Sequence, residues 1–428
     1  MKISPARLAA FEILSKIETE KAFSSELLPH YENTLATNDR ALCHHLTLGV
    51  LRKQLFIDWM IDQFVDGKKI DTAVRIALRL GIYQLSFLDK VPNYSAVNES
   101  VNLVQHAKKT SAKGLVNAVL RRAARETLTP EYDSETERVS IQTSHPRWLV
   151  EKWIGTFGSV DTEKLATANN EIPQIAFRRI SRTNPDIKFE NTRASDYVDG
   201  CLVADRNTTE MIAAVTAGEI YFQDEGSQMV GAAVELTRTG AFLDLCAAPG
   251  SKFTQIARRM ESGSQLLIGG DLHSHRLRSL VENGNAHGVT KMKIVQYDAE
   301  RTLPFADGSF DSILVDAPCS GTGTIRHNPE LRYSLQSSDF LELAAKQLRL
   351  IQSASKLLRK GGTLTYSTCS LESEENEQVC MTFLANAPEF RPKKPNVPDR
   401  FFDKDGFART LPHRDNMDGF FIASFEKA

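Results

Sequence analysis

Apolar residues recur at helical spacing through the first third of the chain: Leu8, Phe11, Leu14 and Ile17, then Leu42, Leu46 and Val50, then Val74, Leu78 and Ile82. No sustained alternation marks strands there, so residues 5–126 predict helices joined by short turns, a small bundle. Asp39 marks a helix start, Gly67 ends a segment, and Pro92 stops the one containing Tyr83 and Leu88. The segment Lys113–Arg125 is apolar on one face and ends in Arg121, Arg122 and Arg125. The helix dipole favours cations at that end whether or not anything binds, so a structural role for these arginines ranks ahead of contact with a polyanion.

The stretch that follows is mixed. Pro146-Arg-Trp-Leu-Val-Glu-Lys-Trp153 predicts a helix with proline in its first turn, and Ile175-Ala-Phe-Arg-Arg-Ile180 followed by Arg182 predicts a basic strand. Arg178, Arg179 and Arg182 are expected either to line a path for a polyanion or to sit on a solvated edge strand. From about residue 219 the rhythm becomes strand, Gly or Asp turn, helix, repeated. Phe242–Cys246, Leu266–Asp271, Lys293–Asp298, Ser312–Asp316 and Thr363–Tyr366 are the β-rich runs. That alternation predicts a parallel sheet with helices on both faces and ligands at the C-terminal strand ends, where Asp244, Asp271, Asp298 and Asp316 lie. The expected architecture is multi-domain: an all-α bundle over 1–130, a small α+β connector over 131–218, and a doubly wound α/β Rossmann-like domain over 219–428.

Composition removes several classes. The 428 residues allow two or three domains, and 41% hydrophobic with 25% charged residues excludes disorder and fibrous architectures. No apolar run approaches the roughly 18 residues of a membrane-spanning helix, and the first 29 residues carry Glu and Lys throughout, so a soluble, unexported, cytoplasmic protein is expected. Six cysteines without a C-x-x-C pair predict free thiols and no metal. Net charge is −2 overall, but residues 1–130 hold 18 Lys/Arg against 13 Asp/Glu. A polyanion contact confined to that end and an ordinary solvated surface explain this asymmetry equally well.

The first strand runs into Asp244-Leu-Cys-Ala-Ala-Pro-Gly-Ser-Lys252, where small residues let a ligand approach the backbone and a helix beginning near Ser251 offers unpaired N–H groups. It is neither the G-x-G-x-x-G fingerprint nor a Walker A loop. A carboxylate at Asp271 can accept from both hydroxyls of a ribose, and Asp298 can accept from an adenine amino group. Three such features in order suit one nucleoside ligand. Two cysteines also sit at strand ends, in Asp316-Ala-Pro-Cys-Ser320 and Ser367-Thr-Cys-Ser370. A thiolate that adds to C6 of a cytosine makes C5 nucleophilic toward an electrophilic methyl group, and a carboxyl group bonded to N3 stabilises the activated ring. Cys369 or Cys319 as nucleophile, Asp316 as the N3 partner and S-adenosylmethionine in the glycine turn form one mechanism. Cys43, Cys201 and Cys380 read as small hydrophobes.

Val50-Leu-Arg52, Leu78-Arg-Leu-Gly-Ile-Tyr-Gln-Leu85, Val91-Pro-Asn-Tyr-Ser-Ala-Val-Asn-Glu99 and Gly114-Leu-Val-Asn-Ala-Val-Leu-Arg121 resemble the NusB family of helical RNA-binding domains. Residues 219–428 resemble the RsmB (Sun/Fmu) family of RNA cytosine-C5 methyltransferases. The matching motifs are Gln223-Asp-Glu-Gly-Ser-Gln228, Cys246–Lys252, Asp316-Ala-Pro-Cys-Ser-Gly-Thr-Gly323, Arg326, Pro329-Glu-Leu-Arg332, Tyr366-Ser-Thr-Cys-Ser370 with Glu374-Glu-Asn376, and Asp418-Gly-Phe-Phe421.

The resemblance implies a class I methyltransferase that uses S-adenosyl-L-methionine to methylate a cytosine of 16S rRNA, naked or in a pre-ribosomal particle; no residues stand at metal-ligand spacing, and a monomer is the default expectation for an enzyme that must wrap a large RNA. It assigns Cys369 as nucleophile, Cys319 to product release and Asp316 to cytosine N3. Cys246, Ala247, Ala248, Pro249, Gly250, Ser251, Lys252, Asp271, Asp298 and Asp316 match the cofactor site, and Arg276 is placed with them. Transfer RNA as substrate, or an inert RNA-binding or antitermination module, are the alternatives. Glu374-Glu375 is explained by the dipole of the following helix.

The family usually reads P-G-G-K-T where this chain has Pro249-Gly-Ser-Lys-Phe253. Ser251 would be strained if φ had to be positive there, and unstrained if it begins the helix. Gly269-Gly270, in place of β-branched residues, is expected to loosen the strand end before Asp271.

Overall fold

The computed structural model describes residues 3–180, 187–260 and 265–428. The chain splits into two compact units, Met1–Glu171 with Ile325–Leu335, and Ile172–Thr324 with Gln336–Ala428. These boundaries differ from the expected divisions at 130 and 218: residues 131–171 pack with the helical bundle, 172–218 with the sheet unit, and Ile325–Leu335 also with the bundle.

The first unit carries helices Pro5–Glu20, Ser24–Glu32, Thr37–Arg52, Gln54–Val65, Thr72–Phe87, Asn93–His106, Lys113–Ala123, Glu135–Thr143, Arg147–Phe157 and Ser159–Ala168. The periodic residues Phe11, Leu14, Leu46, Val50, Val74, Leu78 and Ile82 meet in one buried cluster. Asp71 caps the helix Thr72–Phe87 by accepting from the Ala73 N–H at 2.9 Å. Within that helix, a Cβ on Gly81 would come within 2.6 Å of the Leu120 methyls, so glycine is what permits the close approach of Lys113–Ala123. Arg79 is buried but forked onto Asp58 at 2.8 and 2.7 Å and paired with Glu18 at 2.9 Å. Arg122 pairs with Glu126 at 2.9 Å and lies over the Phe64 ring, which gives it a structural role.

Residues 325–335 are built into this unit by polar groups. Arg332 is fully buried and donates to the carbonyls of Thr143, Ser144 and Asn169 at 3.2–3.3 Å and to Asn170 Oδ1 at 2.8 Å. Burial pushes its guanidinium down to about 10, still charged at neutral pH. Glu330, also buried, accepts from the Ser24 N–H at 2.7 Å and from its hydroxyl at 2.9 Å.

The second unit holds two sheets. In the smaller, β1 (Ile175–Arg179), β2 (Thr192–Ala194), β3 (Cys201–Ala204) and β4 (Ile220–Phe222) pair antiparallel in the order β2-β3-β1-β4. β1 is therefore interior, contrary to the expected edge strand. Arg178 is buried and donates to Gln223 Oε1 at 2.8 Å, Thr254 Oγ1 at 2.7 Å and the Ser251 carbonyl at 3.1 Å. It cannot line a solvent path, while Arg179 is bonded to the Ile187 carbonyl and Arg182 lies outside the described residues.

The larger sheet comprises β5 (Ala241–Asp244), β6 (Leu266–Asp271), β7 (Met292–Gln296), β8 (Phe310–Asp316), β9 (Leu358–Thr368), β10 (Phe390–Lys393), β11 (Ala408–Arg409) and β12 (Phe421–Lys427). Its order is β10-β12-β9-β8-β5-β6-β7 with β11 on β12. The run β9-β8-β5-β6-β7 is parallel, while β12 and β10 are antiparallel. Alternating side chains divide between two cores. Leu243, Ile313 and Val315 join helices Asp339–Leu357 and Glu377–Asn386. Phe242 and Leu314 join helices Glu225–Ala233, Ser251–Arg259 and Ser274–Ala286 on the other face. The sheet is thus doubly wound, as expected.

Replacing Arg332 by Leu strands several buried carbonyls at once. We expect chemical denaturation to show a loss on the order of 3 kcal/mol; a loss below about 1 kcal/mol would mean that the segment 325–335 is not anchored by these bonds.

Candidate active site

β5 ends at Asp244 and the chain turns through Leu245–Gly250 into the helix Ser251–Arg259. The positive φ falls on Gly250, at 108°, and Ser251 is the first helical residue. Serine there is unstrained, and a Cβ on Gly250 would lie 2.7 Å from Leu280 Cδ1. The two glycines before Asp271 are filled rather than loose. A Cβ on Gly269 would lie 2.8 Å from the Phe253 ring, and one on Gly270 would lie 2.1 Å from the Tyr297 ring. Tyr297 in turn donates to the Leu245 carbonyl at 3.1 Å. Phe253 and Gly269, which look like separate departures along the chain, are complementary in space.

Asp271, buried at the end of β6, accepts from the His273 N–H at 3.0 Å and pairs with Arg276 at 3.1 Å. Arg276 also donates to the Ala248 carbonyl at 2.6 Å, tying the glycine turn to the carboxylate. Asp298, two residues beyond β7, accepts from the Glu300 N–H at 3.0 Å and pairs with Arg301 at 3.1 Å. Asp316 closes β8 and accepts from Lys252 Nζ and from Ser367 Oγ, each at 2.8 Å. Burial would lower the Lys252 ammonium's hold on its proton, but the charge and hydrogen bond of Asp316 outweigh it and the net shift is upward. Lys252 Nζ also lies 5.0 Å over the Phe420 ring.

Asp244 reads along the chain as a strand-end acid with no assigned place in the site; in the fold it belongs there. It is 1% exposed, and its Oδ1 has no hydrogen-bond partner in the protein. Burial, then the charge of Asp316, pushes its carboxyl up to about 8. A buried carboxylate oxygen without a protein donor, beside a turn closed by Gly250, fits a ligand that brings a cationic or N–H donor group.

Cys319 and Cys369 come together from the loops after β8 and β9, with sulfurs 3.3 Å apart, and the Cys369 N–H donates to Cys319 Sγ at 3.3 Å. The hydrogen bond with Cys369 and burial push the Cys319 thiol well above its ordinary value. Beneath both loops lies a second residue that sequence reasoning misses. Glu375 is fully buried just before the helix Glu377–Asn386, and besides the favourable helix N-terminus it has specific partners. Its carboxylate accepts from Ser320 and Ser370, the residues that follow the two cysteines. The only signal for it along the chain is the motif Glu374-Glu-Asn376. Cys43, Cys201 and Cys380 are buried, as expected of small hydrophobes.

A doubly wound sheet with a glycine turn after its first parallel strand and carboxylates at successive strand ends defines a class, the S-adenosylmethionine-dependent methyltransferases. Residues 232–426 match the family model described as 16S rRNA methyltransferase RsmB/F, and residues 4–125 match the NusB family model. Over its full length the chain is 33% identical to a Bacillus subtilis protein named "Probable ribosomal RNA small subunit methyltransferase B", with 100% of both covered. It is 32% identical to ribosomal RNA small subunit methyltransferase B of Pseudomonas putida over 90% of each. Among solved structures, PH0851 covers 100% of both chains at 25% identity and a TM-score of 0.82. NSun6 of Pyrococcus horikoshii, solved with SFG, covers 66% of this chain and 98% of its own at 22% identity and a TM-score of 0.56, a likeness of fold. The chain belongs to the RsmB/F methyltransferase family, with a NusB-family unit at its N-terminal end. No helix among the described residues is long and apolar enough to cross a membrane.

Two outcomes follow from the site's packing and charge. Phe253→Ala should cost about 3 kcal/mol and Gly269→Ala should also destabilise, but the double variant should cost less than the sum, with a coupling of at least about 1 kcal/mol by denaturant titration. Strict additivity would mean the two positions are independent. Asp244 is raised from 3.8 to about 8 in the fold. Its stabilising contribution is therefore complete below the lower value and lost as pH rises toward the upper one. Without cofactor, Asp244→Asn should flatten the fall in stability across that window; an unchanged slope would show that the carboxyl ionises normally.

Proposed function

We propose that this chain transfers a methyl group from S-adenosyl-L-methionine to C5 of a specific cytosine in small-subunit (16S) rRNA, through a covalent adduct between a cysteine and C6. The observation that carries the reading is the contact of the Cys319 and Cys369 sulfurs at 3.3 Å, on loops that follow adjacent parallel strands, with Asp316 ending one of those strands. The names of the Bacillus and Pseudomonas relatives support small-subunit rRNA as substrate. That RNA also accords with a cytoplasmic enzyme. The NusB-family match supports RNA contact through the first unit.

Cys246, Ala247, Ala248, Pro249, Gly250, Ser251 and Lys252, with Asp271, Arg276, Asp298 and Asp316, would hold the cofactor, and Asp244 joins them. The orphaned Asp244 oxygen beside the glycine turn fits a ligand with a cationic or N–H donor group. SFG, bound in the NSun6 neighbour, is an analogue of this cofactor. When bound, S-adenosylmethionine supplies an electrophilic methyl group.

The Cys369 thiolate adds to C6, and the ring's electron pair is driven toward C5 and N3 while Asp316 bonds N3. C5, now nucleophilic, takes the methyl group. A base then takes the C5 proton, the C5–C6 double bond re-forms and the C6–S bond breaks, expelling Cys369 as the thiolate. Cys319 assists that release, and its raised thiol pKa bears only on the attack, where it keeps Cys319 from competing as the nucleophilic thiolate. A target base that is stacked must first be flipped out, at a few kcal/mol.

Cys369→Ala should abolish turnover, whereas Cys319→Ala should accumulate a covalent protein–RNA species. A denaturing gel after incubation with cofactor and small-subunit rRNA separates the outcomes, and the reverse pattern would exchange the two roles. Mapping of 5-methylcytosine in rRNA and tRNA incubated in parallel tests the substrate.

A further inference from the structure

The bonds around Glu375 form a bracket whose two arms end at the two cysteines. Oε1 accepts from the hydroxyls of Ser320 and Ser370, the latter at 2.6 Å. Oε2 accepts from the Ser320 N–H and from Gln347 Nε2, each at 2.9 Å. Gln347 Nε2 also donates to the Pro318 carbonyl at 3.0 Å, so Cys319 is held through both of its chain neighbours. Asn376 does the same for Cys369: its Oδ1 accepts from Thr368 Oγ1 at 2.5 Å and its Nδ2 donates to the Ser370 carbonyl at 2.8 Å. Tyr366 fixes the base of the bracket by donating to the Glu375 carbonyl at 2.6 Å.

A carboxylate only accepts, with two oxygens and about four lone-pair sites, and these four donors saturate it. All four are neutral, so nothing in this set neutralises the charge, and removing the carboxylate would strand four buried donors. What the carboxylate does that an apolar group does not is tie the loop after β8 to the loop after β9 through a single atom, Oε1. The two hydroxyls it holds are themselves 3.0 Å apart.

We propose that Glu375 is a positioning residue for the cysteine chemistry: by binding Ser320 and Ser370 together it keeps the two thiols in contact, so that one can serve the adduct formed by the other. The role rests on the proposed cytosine mechanism, but the bracket itself can be read independently of turnover. Its negative charge also disfavours ionisation of Cys319, in keeping with a partner that retains its proton.

Glu375→Gln preserves shape but turns one acceptor into a donor facing donors. Phenylarsine oxide, a trivalent arsenical, condenses with two adjacent thiols, forming two As–S bonds and releasing water, and so reports thiol spacing without RNA or cofactor. The wild-type chain should bind one equivalent across Cys319 and Cys369, and binding should fail in Cys319→Ala. Glu375→Gln should weaken this bridging by about tenfold while each thiol still reacts with iodoacetamide, and should lower kcat by about a hundredfold with cofactor KM little changed. Glu375→Asp, which keeps the charge, should recover part of both.

Should Glu375→Gln fail to fold, Ser370→Ala cuts only the arm to the Cys369 loop, and loss of bridging in that variant carries the same meaning. Unaltered bridging in whichever folded variant is measured overturns the proposal. If bridging falls as expected while the wild-type chain methylates no RNA, the bracket stands and the cytosine reading fails. If the wild-type chain methylates a cytosine while bridging is unaltered in the variant, the cytosine reading stands and the bracket fails.

Discussion

Lys252 and Ser367 both donate to Asp316 at 2.8 Å, and through that one carboxylate the glycine turn and the ends of β8 and β9 are held to a common point. The register makes this possible, since Asp316 pairs with Ser367 across β8 and β9 while Asp244 sits beside Leu314 across β5 and β8. Parallel strands bring their carboxyl ends to one edge, and in-register pairing gathers there whatever the sequence places last on each strand. The glycine turn and the cysteine loops are not independent modules that happen to face each other. A shift of one residue between β8 and β9 would rotate Ser367 to the other face and leave Lys252 the only one of these two donors to Asp316.

Crowding acids at that edge has an electrostatic consequence. Asp244 is forced toward its neutral form by burial and by Asp316, while Lys252 keeps its proton because Asp316 is near. The unliganded site is therefore short of positive charge at Asp244 and balanced at Asp316. A cationic ligand held beside Asp244 would supply charge where it is lacking, and its binding would then also relieve an unfavourable buried acid.

How much of this is legible along the chain depends on whether the determinant is local. Strand-and-turn rhythm, the helix start at Ser251, the strand-end aspartates and the two cysteine loops are local features, and each lies where periodicity and turn chemistry put it. The hidden determinants are pairings across the fold. Arg178 reads as a solvent-facing cation because its neighbours in sequence are basic, yet its partners Gln223, Ser251 and Thr254 lie some 45 residues or more away. Arg332 groups with the catalytic half by sequence order, although its acceptors belong to the helical unit. Gly269 looks like a weak strand end because Phe253, which fills it, sits on the preceding helix. In each case one-dimensional reading gives the residue its commonest environment, and a distant partner changes that environment.

The same distinction bears on the two cysteines. Their immediate sequences are alike, each a small turn ending in Cys-Ser after a buried strand, and spacing alone leaves open which of them attacks. Two thiols in contact resist carrying two negative charges, so ionisation of one is stabilised by the S–H of the other and opposed once both are charged. The surroundings must then break the tie. The hydrogen bond with Cys369 and burial, with a lesser push from the charge of Glu375, act against an anion at Cys319. A carboxylate that touches neither sulfur, reached through Ser320 and Ser370, thus gives two like Cys-Ser turns unlike surroundings.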